Sequence, residues 1–206
     1  MARHNTGGIL IFDLPSLPQQ GGHDIRVFDN SSVDNDTPNF APEGNIVGGV
    51  PMGTGIMIMA NRNVHVFGNR LANNGTVHII VAAYPEEYDD ETYMFVPRGV
   101  YIHDNTYGEG GAAPDNEMGE IIAGRTGTPV PDIVWDGVTR IPEWLTWVAA
   151  ENRLYIDEAD DTTFANAKMI SHMLLPWETS PDRDISNHAG SLPAPAPVEL
   201  PQDAEG

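Results

Sequence analysis

The chain has 206 residues and no cysteine, which excludes a disulfide framework and thiolate chemistry. Ten basic residues stand against 30 acidic residues, so the formal net charge is −20 at pH 7. This charge disfavours binding to nucleic acid or to an anionic membrane surface, because both require basic contacts. It fits a solvated surface in a salty or extracytoplasmic setting, and it fits a generic acidic surface equally well.

Short strands recur along the first half of the chain. Runs rich in apolar, often β-branched, residues begin at Gly8, Gly55 and His78, and most are bounded by Gly or Asn. A second set of strands alternates apolar and variable residues and ends at an asparagine. These strands are residues 24–30, 63–69 and 99–105.

The repeat predicts that equivalent strands lie directly over one another. Val27, Val66 and Ile102 would then form one inward apolar column, and the corner asparagines Asn30, Asn69 and Asn105 would stack. The connections vary in length, which stacked parallel coils tolerate and a hairpin meander does not. We therefore predict an all-β fold: a right-handed single-stranded parallel β-helix (solenoid) with long corner loops and one or two short helices. The alternative is that these are unrelated strands of a β-sandwich.

The second half of the chain has a different sequence pattern. Asp115 can cap a short helix that ends near Gly124, and residues 132–137 and 152–157 each predict a further strand. Residues 140–151 predict a short helix or an aromatic-rich loop. Residues 176–206 are rich in Pro, Ser and Asp, so we predict an extended C-terminal tail after a domain of residues 1–175.

The first residues of the chain give a prediction about what covers its first strand. Residues 1–8 lack the apolar core of a signal peptide, and no apolar run is long enough to span a membrane. They lead directly into the first strand, with no polar cap of the kind that ends a stack of repeats. We therefore expect either missing N-terminal coils, which would make this chain the C-terminal portion of a longer protein, or a partner or second copy that covers the first coil.

Three segments carry a resemblance to a known family. They are GIMIMANRNVHVFGNRLANNGTVHI at residues 55–79, DIVWDG at 132–137 and NRLYIDEADDTTFAN at 152–166. The chain resembles a bacterial cell-envelope family of parallel β-helix repeat proteins, within the pectin-lyase-like superfold, over about residues 6–200. The resemblance implies export to the periplasm or cell surface. It implies no particular reaction, because related folds host lyases, epimerases and non-catalytic adhesins.

One outward column could carry catalysis. Arg26, His65 and Tyr101 occupy equivalent outward positions, and His103 follows close by. A polysaccharide lyase or a uronate C5-epimerase needs a base for the C5 proton and a cation to neutralise the carboxylate. However, outward positions of any coil are polar, so the column alone does not establish a site.

The remaining candidates are weaker. Acidic loops could hold Ca²⁺ through Asp89, Asp90, Asp160 and Asp161, although none has the spacing of a known calcium loop. His78 is expected to be a packed corner residue. Five aromatic residues could stack on sugar rings or fill the core: Tyr84, Tyr88, Tyr93, Trp144 and Trp147.

Two functions follow from the sequence. The first is non-catalytic binding of a polysaccharide or a cell-envelope protein outside the cytoplasm, with no cofactor unless Ca²⁺ binds. The second is a lyase or C5-epimerase that acts on an acidic polymer through the outward column.

Overall fold

The computed structural model describes residues 1–42, 44–84, 86–139, 148–174 and 179–197. The strands are β1 (Ala2–Arg3), β2 (Gly7–Phe12), β3 (His23–Phe28), β4 (Ser31–Val33), β5 (Thr54–Met59), β6 (Arg62–Phe67), β7 (Arg70–Ala72), β8 (Val77–Ala82), β9 (Arg98–His103), β10 (Thr106–Tyr107), β11 (Ile133–Trp135), β12 (Leu154–Asp157) and β13 (Phe164–Asn166). The helices are α1 (Asn116–Thr126) and α2 (Met169–Leu174), with short 3-10 turns at Ile46–Gly49, Ala150–Asn152 and Ile185–His188.

The strands assemble into three sheets in which every pairing between them is parallel. Sheet 1 has the order β1-β4-β7-β10, sheet 2 the order β13-β11-β8-β5-β2, and sheet 3 the order β12-β9-β6-β3. From β1 to β10 the chain visits the three sheets in turn. Helix α1 follows β10, and the later strands return only to sheets 2 and 3.

The fold class that we predicted must be corrected. The structure has three parallel sheets of four, five and four strands with a few helices, an α/β-like arrangement, and not the predicted right-handed single-stranded parallel β-helix (solenoid) with long corner loops. The sequence pattern revealed two six-residue strands per repeat. It missed the third strand, because β4 and β7 have three residues each and are too short to show alternation.

The apolar columns lie in one shared core. Val27 pairs in register with Val66, and Val66 pairs with Ile102. All three are buried in the main core together with residues from the other two sheets. The inward half of the alternating pattern therefore determines which face of sheet 3 is buried.

A ladder of asparagines follows the end of sheet 3. The Asn30 amide donates to Asn69 Oδ1 at 3.2 Å, and the Asn69 amide donates to Asn105 Oδ1 at 2.9 Å. The ladder ends at Glu158, whose carboxylate accepts from the Asn105 amide at 2.7 Å and from the Tyr107 hydroxyl at 2.9 Å. Burial raises the pKa of Glu158, and its hydrogen bonds to Asn105 and Tyr107 oppose that rise. The ladder fixes the register of successive corners.

The described part of the C-terminal segment packs against the end of the stack. Asp182 bridges to Asn166 of β13, and Ile185 contacts the main core. The ring of His188 lies against Trp135 and Phe164, with centroid distances of 5.4 and 4.8 Å. The predicted boundary between residues 175 and 176 lies outside the described residues.

No helix in the described part of the chain has the length and apolar character needed to cross a membrane.

Candidate ligand-binding cavities

A cavity of about 260 Å³ lies at the corner where the strands of sheet 3 begin. Two loops contribute to its lining: residues 13–22, between β2 and β3, and the described residues 86–97, between β8 and β9. The side chains that line it include Asp13, Gln20, Arg62, Thr92, Met94 and Arg98. Hydrogen-bonding groups from separate segments therefore converge on one space.

The two arginines of this cavity occupy equivalent positions on neighbouring strands. His23 pairs in register with Arg62, and Arg62 pairs with Arg98. The next residue along each strand has a left-handed backbone, with φ of 58° at Asp24, 51° at Asn63 and 60° at Gly99. Asn, Asp and Gly adopt this conformation most readily, which explains these residue types at the corner. The repeated corner brings Arg62 and Arg98 to the same cavity.

The carboxylate of Asp13 is held by backbone amides. Its Oδ1 accepts from Leu14 N at 2.9 Å, and its Oδ2 accepts from Gly21 N at 2.5 Å and from Gly22 N at 3.3 Å. Asp13 is only 8% exposed. It therefore shapes the loop and has little capacity left for a ligand.

Asp90 joins the two loops. Its Oδ2 accepts from Ser16 N at 2.9 Å and from the Gln20 amide at 2.5 Å, and its Oδ1 accepts from the Thr92 hydroxyl at 2.6 Å. These hydrogen bonds, that from Thr92 first, hold the pKa of Asp90 far below its usual range. The carboxylate positions Gln20 and Thr92 at the cavity.

A second cavity of about 200 Å³ adjoins the first. Both are lined by Thr92 and Met94, and the second adds the aromatic side chains of Tyr88, Tyr93 and Phe95. Tyr88 is half-buried, so part of its surface is accessible. The two cavities together are lined by polar groups and by three aromatic side chains.

Tyr84 and Tyr93, which were also predicted to stack on sugar rings or fill the core, pack mainly inside the loop between β8 and β9. Tyr93 is buried, and its hydroxyl donates to Asp13 O at 2.7 Å. Burial raises the pKa of Tyr93 and of Tyr84. The Tyr93 ring packs edge-to-face against Tyr84 at 5.5 Å and Tyr88 at 5.0 Å. Trp144 and Trp147 lie outside the described residues.

The structure brings the predicted catalytic column together on the outer face of sheet 3. Arg26 pairs in register with His65, and His65 pairs with Tyr101. The His65 ring lies 5.5 Å from Tyr101 and 6.3 Å from His103, and Tyr101 stacks on His103 at 4.1 Å. The rings of His65, Tyr101 and His103 therefore lie close together.

The accessibility of this column does not suit catalysis. His65 is 3% exposed and Tyr101 is 9% exposed. Burial, with a smaller contribution from His103 and Arg26, lowers the pKa of His65. Burial raises the pKa of Tyr101, which lowers the fraction of phenolate that could act as a base at neutral pH.

His103 belongs to a second row of rings on the same face. Phe28 stacks on Phe67 at 5.2 Å, and Phe67 stacks on His103 at 5.0 Å. The rings are nearly parallel, with interplanar angles of 6° and 8°, so Phe67 covers one face of Phe28 and one face of His103. Phe28 is 48% exposed at the edge strand β3.

The structure offers little for the predicted calcium sites. Among the described residues, no group of three or more His, Asp or Glu side chains is arranged to hold a metal ion. Asp89, Asp160 and Asp161 are exposed, and Asp90 is committed to the loop contacts described above. His78 is buried at the corner, where its Nδ1 accepts from the Asn74 amide at 3.0 Å and its Nε2 donates to Gly108 O at 3.1 Å.

Sequence reasoning missed the residues that line the first cavity. Arg62 and Arg98 stand directly before the repeated strands 63–69 and 99–105, one position outside the segments that we aligned. Extending the alignment by one residue would have shown a basic column of His23, Arg62 and Arg98. Gln20 and Thr92 carry no such signal, because they lie in loops without repeats.

No protein-family model, no curated protein and no solved structure matches this chain.

Proposed function

We propose that this protein binds a polysaccharide outside the cytoplasm without altering it chemically, and that the two adjoining cavities are its binding site. The observation that carries the proposal is the convergence of Gln20, Arg62, Thr92 and Arg98 beside the accessible part of Tyr88. Sugar rings combine hydroxyl groups, which need hydrogen-bond partners, with apolar faces that pack on aromatic rings. The extracytoplasmic location rests on the family resemblance of residues 55–79, 132–137 and 152–166.

The size of the site suits a short stretch of chain. Ligand pockets that enclose a whole drug-sized molecule usually measure roughly 300–1,000 Å³. Each cavity here is smaller, at about 260 and 200 Å³, and each is open to solvent on one side. Such a site suits one or two rings of a polymer that continues across the surface.

The described lining of the first cavity lacks a side chain that would serve a lyase or an epimerase as a base. None of the described residues that line the first cavity is His, Tyr or Lys. Arginine remains protonated in proteins and makes a poor base, and the Asp13 carboxylate is occupied by three backbone amides. Binding without turnover therefore has the stronger support.

The second candidate function is a lyase or C5-epimerase that acts through the outer face of sheet 3. It is favoured by the proximity of His65, Tyr101 and His103, and it is weakened by the burial of the first two. Ultraviolet detection of unsaturated uronates would reveal a lyase, and exchange of the C5 proton with deuterated water would reveal an epimerase. A rate above background that falls in His65→Gln would favour this candidate over the first.

A glycan array followed by calorimetry on the bound glycans tests the binding proposal. We expect Gln20→Ala to weaken binding about five- to tenfold, because a polar group is lost from the cavity. Gln19→Ala is the matched control, since Gln19 is the exposed neighbour in the same loop. Failure of every glycan to bind, or equal effects of the two substitutions, would contradict the proposed function.

A further inference from the structure

We propose that the end of the stack formed by β1, β2 and β3, here called the open end, binds a second copy of this chain through antiparallel pairing of the two β3 strands. These three strands are the terminal strands of the three sheets. Among the described residues each pairs with one neighbour only, β1 with β4, β2 with β5 and β3 with β6. Their outward backbone groups are therefore available to a further strand. The inference does not depend on the proposed sugar site.

The apolar core is less covered at the open end than inside the stack. Ile9 is half-buried, whereas Ile56 and Ile79, which follow it in register on sheet 2, are fully buried. Ile25 of β3 is likewise half-buried, and both Ile9 and Ile25 pack against the main core. A layer placed over the open end would bury these side chains, and burial of apolar surface is the main favourable term in protein association.

The opposite end of the stack is already covered. His188 packs on Trp135 and Phe164, and Ile185 contacts the main core. A second copy cannot stack on that end without displacing this segment, which disfavours head-to-tail growth into a filament. Two copies that meet through their open ends form a closed pair with a two-fold axis, which is the commonest symmetry of soluble oligomers.

The edge strand β2 lacks two common forms of protection against a further strand. Natural edge strands are often shielded by charged side chains or by proline. Strand β2 (Gly7–Phe12) has the sequence GGILIF, which contains neither. Such an edge is typical of a strand that is covered in the assembled protein.

The open end is also much less acidic than the rest of the chain. Residues 1–33 have a formal net charge of −1, whereas the whole chain has −20. The charged residues in this segment are Arg3, Arg26, Asp13, Asp24 and Asp29. The acidic remainder repels another copy, so the nearly neutral end is the surface at which two copies can approach most closely.

The charges on β3 complement those of an antiparallel second copy. Asp24 and Arg26 flank Ile25, and strand alternation places both on the same face. Two antiparallel copies centred on Ile25 place the Asp24 of each opposite the Arg26 of the other, which forms two ion pairs. Asp24 contacts His23 and Asn63 of its own chain, yet its side chain remains 48% exposed. Arg26 is exposed and takes part in none of the ion pairs of the described residues.

Sedimentation velocity and light scattering over a concentration series test the inference. We expect a particle of twice the 22.4 kDa of the chain, which dissociates on dilution. Hydrogen–deuterium exchange on the same samples should show slower exchange of backbone amides in residues 7–12 and 23–28 as the dimer forms. A monomer at every concentration, or a dimer whose protected amides lie elsewhere, would overturn the proposal.

Charge reversal at β3 tests the pairing itself. Arg26→Glu places like charges opposite one another twice, so we expect the dissociation constant of the dimer to rise at least about tenfold. Ile25→Lys directs a charge into the interface and should give a monomer. Arg70→Glu is the matched control, because Arg70 is an exposed arginine on β7, which has neighbouring strands on both sides. Circular dichroism checks that each variant is folded, and equal dissociation constants for folded Arg26→Glu and Arg70→Glu would overturn the pairing.

A peptide of residues 63–74 is the probe for the other possible occupant, a further parallel strand. It carries Asn69, the residue type that would continue the asparagine ladder beyond Asn30. We expect the dimer to leave no site for this peptide. Binding of the peptide to a monomeric protein, with slower exchange in residues 23–28, would assign the open end to a further turn of the stack and overturn the assignment to a second copy.

Discussion

At the scale of single residues, buried polar groups hold the corners of the stack. Asn69 is 1% exposed, yet every polar group of its side chain has a partner. Its amide nitrogen donates to Val27 O at 2.8 Å and to Asn105 Oδ1 at 2.9 Å, and its Oδ1 accepts from Asn30 N at 3.0 Å. A buried amide is tolerated only when its hydrogen bonds are made.

Replacing this asparagine should be costly. We expect Asn69→Ala to lower the free energy of unfolding by about 2–4 kcal/mol, because several buried backbone groups lose their partners at once. Chemical denaturation measures the change. Asn152→Ala, at an exposed site of the same residue type, should change stability by less than about 0.5 kcal/mol. Similar effects of the two substitutions would show that the ladder does not hold the corner.

Asp136 gives a prediction of pH dependence. Its carboxylate accepts from Ala83 N at 2.7 Å and from Val138 N at 2.9 Å, and burial raises its pKa to about 6. The folded state therefore binds this proton more tightly than the unfolded state, whose group titrates near 3.8. Ionisation of Asp136 opposes folding, so its contribution to stability falls as the pH rises from about 4 to about 6.

The stability of Asp136→Asn measured against pH checks this prediction. The free energy of unfolding of the native protein should fall relative to that of the variant across this pH range, and the difference should be constant above it. Asp160→Asn, which changes an exposed carboxylate, should give a profile parallel to that of the native protein. A parallel profile for Asp136→Asn would contradict the raised pKa.

At the scale of elements, the C-terminal segment closes one end of the core. His188 lies between Trp135 and Phe164, and its Nδ1 lies 3.1 Å from Leu154 O. The composition of residues 176–206 predicted an extended tail. Its contacts come from isolated residues, Ile185 and His188, which a reading of composition over the whole tail does not detect.

Loss of this contact should be measurable. We expect His188→Ala to lower the free energy of unfolding by about 1–3 kcal/mol, because two aromatic side chains lose a packed neighbour. Thermal and chemical denaturation measure the loss. His4→Ala is the control, since His4 is exposed at the opposite end of the chain. An equal change in both variants would show that the segment adds no stability through this ring.

The alternating pattern predicted some elements well and others poorly. The register of Val27, Val66 and Ile102 followed from period-two alternation, because each strand must direct one face to the core. Helix α1 followed from Asp115 and its apolar spacing, although it runs on to Thr126 and the Asp115 side chain makes no capping hydrogen bond. The third sheet did not follow, because its strands are two or three residues long.

The candidate site was less predictable than the fold. The outward column of Arg26, His65 and Tyr101 could be predicted because it repeats with the strands. Its burial could not be predicted from the alternation, because outward side chains can still cover one another. The cavity depends on two loops that meet only in the folded chain, through Asp90 and its contacts to Ser16 and Gln20. These contacts join residues 74 and 70 positions apart and leave no local pattern in the sequence.

At the scale of the whole molecule, the three parallel sheets provide a rigid support, and the long loops provide most of the groups proposed to bind the ligand. The first cavity is lined by Arg62 and Arg98 at the starts of their strands and by residues of the loops 13–22 and 86–97. Loops on a rigid scaffold are the usual location of binding residues. The central claim is that a polysaccharide binds at the two adjoining cavities and dissociates without chemical change.

Hydrogen–deuterium exchange with and without oligogalacturonate tests that claim most directly, because it locates the ligand on the chain. We predict that the sugar slows exchange of backbone amides in residues 13–22 and 86–97 and leaves residues 44–50, at a distant loop, unaffected. The recovered oligosaccharide should be identical to the material added. Protection confined to the outer face of β3, β6 and β9, or recovery of an unsaturated or epimerised product, would contradict the account.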